Sequence, residues 1–137
     1  MLTWNEKFAT GSALLDTQHR MLFVKVNHLE SLLDGPPQPK SAYDELINFL
    51  GTYAITHFEF EEECMLQYRC PTHGKNKEAH AAFLAKFGEF RNAYIEQGPE
   101  IELLRELQRF ISDWITNHIL AVDIGLRGCV KARSGLP

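Results

Sequence analysis

Apolar residues recur along this chain at spacings of three and four, the period of a helix with one buried face, and no convincing strand-type alternation interrupts them. The first run covers about residues 16–34, with Leu15, His19, Leu22, Val26, Leu29 and Leu33 on its inner stripe, and stops at GPPQP. The second covers about residues 41–68, with Leu46, Leu50, Tyr53, His57, Glu61 and Cys64 on its stripe. Ser41 suits an N-cap there, and Asp44 and Glu45 suit the positive end of that helix. A break follows at RCPTHG, where Pro71 and Gly74 punctuate the chain. The third run carries Asn76, His80, Phe83, Phe87, Phe90 and Tyr94 and ends at QGP. The fourth starts after Pro99 and shows Leu104, Leu107, Ile111, Trp114 and His118. Residues 119–137 form a tail with three glycines, which leaves room for a short terminal helix at most. Four helices of roughly 18–28 residues with short connections predict an all-α fold, an up-down-up-down antiparallel four-helix bundle.

Composition narrows the class without changing that picture. A chain of 137 residues has enough length for one domain and one core, so residues 1–137 read as a single unit. It is 45% apolar and 23% charged, which suits a soluble globular protein. A net charge of −4 argues against nucleic acid as a partner. No run reaches the length of a membrane span, and charges interrupt the start where a signal peptide needs an apolar stretch. Cys64, Cys70 and Cys129 are odd in number and not paired in a metal-type spacing, so they read as reduced thiols of a cytoplasmic protein.

Polar groups then appear where the stripes call for leucine. Four of the six histidines lie on inner faces, one per helix: His19, His57, His80 and His118. Glu61 follows His57 by one turn on the same face. An ionised glutamate facing a core is costly unless it is paired or bound to a metal. His19 and His80 lie early in their helices, whereas His57 and His118 lie late. Antiparallel packing therefore brings all four to one level. That convergence predicts a metal site, and histidines with carboxylates in a bundle core suit iron ahead of manganese or zinc. The donors are too many for a single ion and suit two ions bridged by carboxylates. His28 falls off the inner face and reads as solvated, as does most of EFEEE, with only Glu61 phased inward. Cys64 reads as core packing.

The segments WNEKFATG, LLDTQHRMLF, THFEFEE, HAAFL and NHILAVD together resemble the hemerythrin family, and within it the bacterial hemerythrins. They follow the family's order over nearly the whole chain. The resemblance implies a non-haem diiron centre, oxo- or hydroxo-bridged when diferric, that binds O2 reversibly at one iron. NO and small anions such as azide are further ligands of that class. Glu61 and Asp123 would bridge the irons, His19 and His57 would ligate the O2-binding iron, and His80 and His118 the other. Asp123 stands five residues after His118, so it needs a bend or helix end to face inward. Trp114, Ile115 and Ile119, beside His118, are candidates for an apolar wall over the bound gas.

One position departs from the family. Its usual histidine pair on the third helix is spaced His-x-x-x-His; the second member is His80, and the first falls on Asn76. Either the second iron is one ligand short and solvent makes up the difference, or Asn76 coordinates weakly through its oxygen or a water. A third reading has a frayed helix bring in His73, although seven residues span roughly 10 Å of intact helix. Asn76 would also serve as the N-cap of a helix starting at Lys77. A missing histidine and greater solvent access would make the reduced centre autoxidise faster. Reversible O2 binding is the expected function, with O2 or redox sensing as the alternative if residues 119–137 begin a linker to a signalling domain. An enzyme reducing peroxide or oxidising iron comes third, since no general acid stands out beyond the ligands.

Overall fold

The computed structural model describes residues 1–121 and 125–133. A short 3-10 helix, Glu6–Phe8, precedes α1 (Ala13–Asp34), α2 (Lys40–Gln67), α3 (His73–Gln97), α4 (Ile101–Ala121) and α5 (Leu126–Arg133). There is no strand among the described residues. α1 and α3 each pack on both α2 and α4, the square arrangement of an up-down-up-down bundle.

Local chemistry sets where the helices begin and end. α1 starts three residues before the periodic pattern suggests, because Ser12 caps it: its Oγ accepts from the Leu15 N–H at 3.3 Å. The buried Thr10 hydroxyl donates to Asp16 at 2.9 Å and ties the preceding segment to that first turn. Ser41, by contrast, is not the N-cap of α2. Pro39 stands at that position with φ −58° and leads straight into the helix, so Ser41 falls inside the first turn. α2 ends at a residue the sequence does not advertise. Arg69 takes φ 54°, the Cys70 N–H reaches the Met65 carbonyl at 2.8 Å, and the Arg69 N–H reaches Leu66 at 3.1 Å, a Schellman ending with arginine in the usual glycine place. Gly74, expected to mark the break, lies within α3. Asn76 is likewise inside α3, its N–H bonded to the Thr72 carbonyl at 2.8 Å, and so is not a cap.

Most stripe residues are buried, with Leu15, Leu29, Leu104, Leu107 and Ile111 among the most enclosed side chains, while Tyr53, Phe90 and Trp114 are half-buried. Met65, one turn beyond Glu61, continues the inner face of α2; Cys64 is only half-buried. The core is divided in two. A large apolar cluster fills most of the bundle, and a small one of Leu15, Met65, Cys70 and Leu126 closes one end. Between them lies a layer of buried polar side chains.

The small cluster depends on α5. Leu126 is fully buried in it, and Arg127 donates to the backbone carbonyls of Glu6, Lys7 and Ala9, clasping the N-terminal turn. Cys129 forms a disulfide with Cys70, with a Cα–Cα distance of 5.6 Å. The expectation of three reduced thiols is thus overturned for this pair, while Cys64 is free. The partners are 59 residues apart, and only the fold-back of α5 over the α2–α3 turn brings them together.

Candidate metal centre

The polar layer contains His19, His57, Glu61, Asn76, His80 and His118, all at 7% exposure or less. Their helical positions put them there. Leu15 and Leu22 flank His19 by one turn on either side of α1. Met65 follows Glu61 on α2, and Phe83 and Ile115 hold the faces beside His80 and His118. The large core thus fixes the layer from one side and the small cluster from the other.

Glu61 is its hub. Oε2 stands 3.0 Å from His19 Nε2 and 3.4 Å from His57 Nε2, while Oε1 stands 3.2 Å from His80 Nε2. His118 Nε2 lies 3.2 Å from His80 Nε2. Each carboxylate oxygen therefore faces a different histidine group, giving His19, His57 and Glu61 on one side and Glu61, His80 and His118 on the other. In each group the ligand atoms lie within 4.8 Å of one another. Burial alone would raise the Glu61 carboxyl, but N–H donation from His19, and from His57 and His80 when their rings carry both protons, outweighs it and holds the group well below the usual carboxylate range.

The outer ring nitrogens set the tautomers. His80 Nδ1 donates to Glu62 Oε2 at 2.9 Å, and His57 Nδ1 donates to Gln18 Oε1 at 2.6 Å. With their protons on Nδ1, both rings turn an Nε2 lone pair toward Glu61. Acceptor then faces acceptor, and only extra protons or a cation between them makes the arrangement favourable. Donors about 2.1 Å from one ion and at right angles around it stand roughly 3 Å apart, the spacing seen here. The donor set fits metal ions.

Asn76 is fully buried, which removes the solvent opening expected at its position. Its Nδ2 donates to Glu61 Oε1 at 2.8 Å and contacts Met65 Sδ at 3.2 Å. Its Oδ1 has no hydrogen-bond partner among the described residues, an orphan that a cation or water would satisfy. His73 is the first residue of α3, half-buried and outside both ligand groups; the helix is continuous, without the fraying that would carry His73 to the layer. His28 is exposed, as its phase predicts. Asp123 lies outside the described residues.

Aromatic rings line the layer. Phe58 stacks on His80 with centroids 3.8 Å apart, and Trp114 stacks on His118 at 4.3 Å. Ile115 and Ile119 are buried in the large apolar cluster, against which Trp114 packs. An apolar cavity of about 10 Å³, lined in part by Phe58, Trp114 and Ile115, adjoins them, and its lining offers a water no polar partners.

Sequence reasoning missed Phe58, Gln18 and Glu62. Glu62 was grouped with a solvated face, yet it is only half-exposed and reaches His80. Its signal was its place beside Glu61 at the edge of the stripe, where a long side chain can still touch the next helix.

A four-helix bundle whose core holds two histidine groups joined through one glutamate is a metal-binding bundle. Comparison with known proteins gives its family: the Hemerythrin HHE cation binding domain matches residues 10–124, and the chain belongs to the hemerythrin family. It is 30% identical to a bacteriohemerythrin of Stenotrophomonas maltophilia over 96% of this chain and 83% of that one. The bacteriohemerythrin of Methylococcus capsulatus is 26% identical over 96% of this chain and 98% of its own. Among solved structures, a wild-type hemerythrin superposes with a TM-score of 0.84 at 24% identity, covering 95% of this chain and 98% of that chain, and supports the fold.

Proposed function

We propose that this protein binds O2 reversibly at a non-haem diiron centre that Glu61 would bridge. His19 and His57 would hold the O2-binding iron, and His80 and His118 the other. The observation that carries the reading is the split of Glu61, one oxygen facing each histidine group. Asp123 is proposed as the second bridge, on the family resemblance alone. Bound iron would supply the electrons that O2 takes up on binding and returns on release. The chain's own residues do the rest. Gln18 and Glu62 keep protons on the outer ring nitrogens and leave Nε2 for metal. Trp114, Ile115 and Ile119 exclude water and competing anions from the gas.

Asn76 leaves the His80 side with one imidazole fewer than the family pattern, and its unpartnered Oδ1 fits a weak oxygen contact, direct or through water. With fewer nitrogen donors, the reduced centre is expected to autoxidise faster than a relative with the full set. The absence of a solvent opening at Asn76 means that ligand count alone supports this. The test is to load the chain anaerobically with Fe2+, add O2 and follow the optical spectrum. An O2-dependent spectrum that reverses on degassing supports the reading; immediate irreversible oxidation, or no response, overturns reversible binding. Asn76→His should slow the irreversible phase, and an unchanged rate would show that ligand number does not control it.

A cytoplasmic location also belongs to the proposal. No helix among the described residues is long and apolar enough to cross a membrane. The Cys70–Cys129 bond weighs against a cytoplasmic location, since cytosolic disulfides are uncommon. Blocking thiols during cell lysis and counting them tests it: three free thiols fit a reducing compartment, and a bond that survives fits an oxidising one.

A further inference from the structure

His57 and His80 are not supported alike from behind. His57 donates its Nδ1 proton to the neutral amide oxygen of Gln18 at 2.6 Å, whereas His80 donates its own to the carboxylate of Glu62 at 2.9 Å. Both acceptors fix the tautomer. Only the carboxylate also pushes electron density through the ring onto Nε2, because partial proton transfer toward a negative acceptor leaves the imidazole more basic. His80 is further held in plane by Phe58, stacked at 3.8 Å with the rings 8° from parallel. The same side of the centre has Asn76 in place of an imidazole.

We infer that Glu62 is a positioning residue that strengthens His80 as a donor and so keeps the His80–His118 side, which has one imidazole fewer than the family pattern, loaded with metal. The inference rests on the diiron reading above. It places the charged outer acceptor on the side where Asn76 stands in place of an imidazole of the family pattern, and the neutral acceptor, Gln18, on the other. Charge points the same way. Glu61 is shared between both sides, whereas Glu62 touches His80 and so favours a cation on that side.

The test is anaerobic Fe2+ loading of the full chain, followed by competition with a graded chelator, comparing the wild type with Glu62→Gln and Gln18→Glu. Glu62→Gln keeps an acceptor for Nδ1 and removes only the charge. One of the two irons should then be released at about 10–100-fold lower chelator concentration, while the other keeps its wild-type affinity. The metal-free melting temperature should stay at the wild-type value, which a merely structural role for Glu62 would not allow. Gln18→Glu should tighten one iron and leave the second unchanged, and this arm stands even if Glu62→Gln folds poorly. Equal weakening of both irons in Glu62→Gln, or no change in either, overturns the inference. A wild-type chain that binds fewer than two irons fails at the first step and overturns the diiron reading instead.

Discussion

Removing the metal should cost this protein a large part of its stability, because the polar layer is built for a charge that the side chains do not themselves supply. Glu61 and four imidazoles are buried in it, with Nε2 lone pairs turned on a carboxylate. A ligand that binds only the folded state stabilises it by about 2.7 kcal/mol when its free concentration is 100 times Kd. Two such sites give about 5.4 kcal/mol if they act independently. For a domain of this length each kcal/mol moves Tm by roughly 3–5 °C, so loading both sites should raise Tm by roughly 15–25 °C. Sharing of Glu61 favours the lower end, since the first ion already neutralises part of the carboxylate that the second would use. Differential scanning calorimetry under anaerobic conditions measures the shift, with chelator-stripped protein as the reference. Glu61→Gln, which keeps the size and removes the charge, should lose most of it. A stripped protein that melts within about 3 °C of the iron-loaded one would refute the reasoning, as would a full shift in Glu61→Gln.

Three further outcomes follow from the fold. Cys129→Ser should lower stability by about 2–4 kcal/mol, since the bond closes a long loop, and should raise the count of free thiols from one to two; an unchanged urea midpoint would show that α5 contributes little. Gly51→Ala and Gly88→Ala should act with opposite signs although both lie within helices. A Cβ at Gly51 would stand 3.0 Å from the buried Phe87 ring, so overpacking offsets the helical gain and costs up to about 2 kcal/mol. At Gly88 nothing lies within 4 Å, and alanine should add about 1 kcal/mol; the two urea midpoints decide it. Tyr94 donates to Asp44 at 2.6 Å, and this bond with the Lys40 ammonium holds the Asp44 carboxyl below its ordinary value. A depressed carboxyl stabilises the fold above its unfolded pKa of 3.8, and the contribution fades as pH falls through the folded value. Tyr94→Phe should therefore melt lower than wild type at neutral pH, and the gap should narrow in acid; a constant gap from pH 7 to 3 would contradict the assignment.

The sequence by itself determined the four helices and the level at which the histidines meet. Both are consequences of period: a residue three or four places from a leucine shares its face, and antiparallel neighbours align early positions with late ones. His19, His57, Glu61, His80 and His118 were legible for that reason. What a face meets across the interface is a different matter. Glu62 and Gln18 stand at the edges of their stripes, and only the approach of α3 to α2 and of α2 to α1 turns them into partners of His80 and His57. Asn76 read as a place in the ligand set left to water or to a weak amide contact, and the fold makes it a buried amide bonded to Glu61, with Met65 and the small cluster beyond it closing that end of the bundle. Arg69 ends α2 in a conformation that composition assigns to glycine, held by backbone bonds that exist only once the turn has formed. The Cys70–Cys129 bond is the extreme case: 59 residues separate its partners, and no local rule relates them. Periodicity reports the angle of a side chain about its own helix axis. Pairing between helices depends on distance across the core, which tertiary packing alone decides.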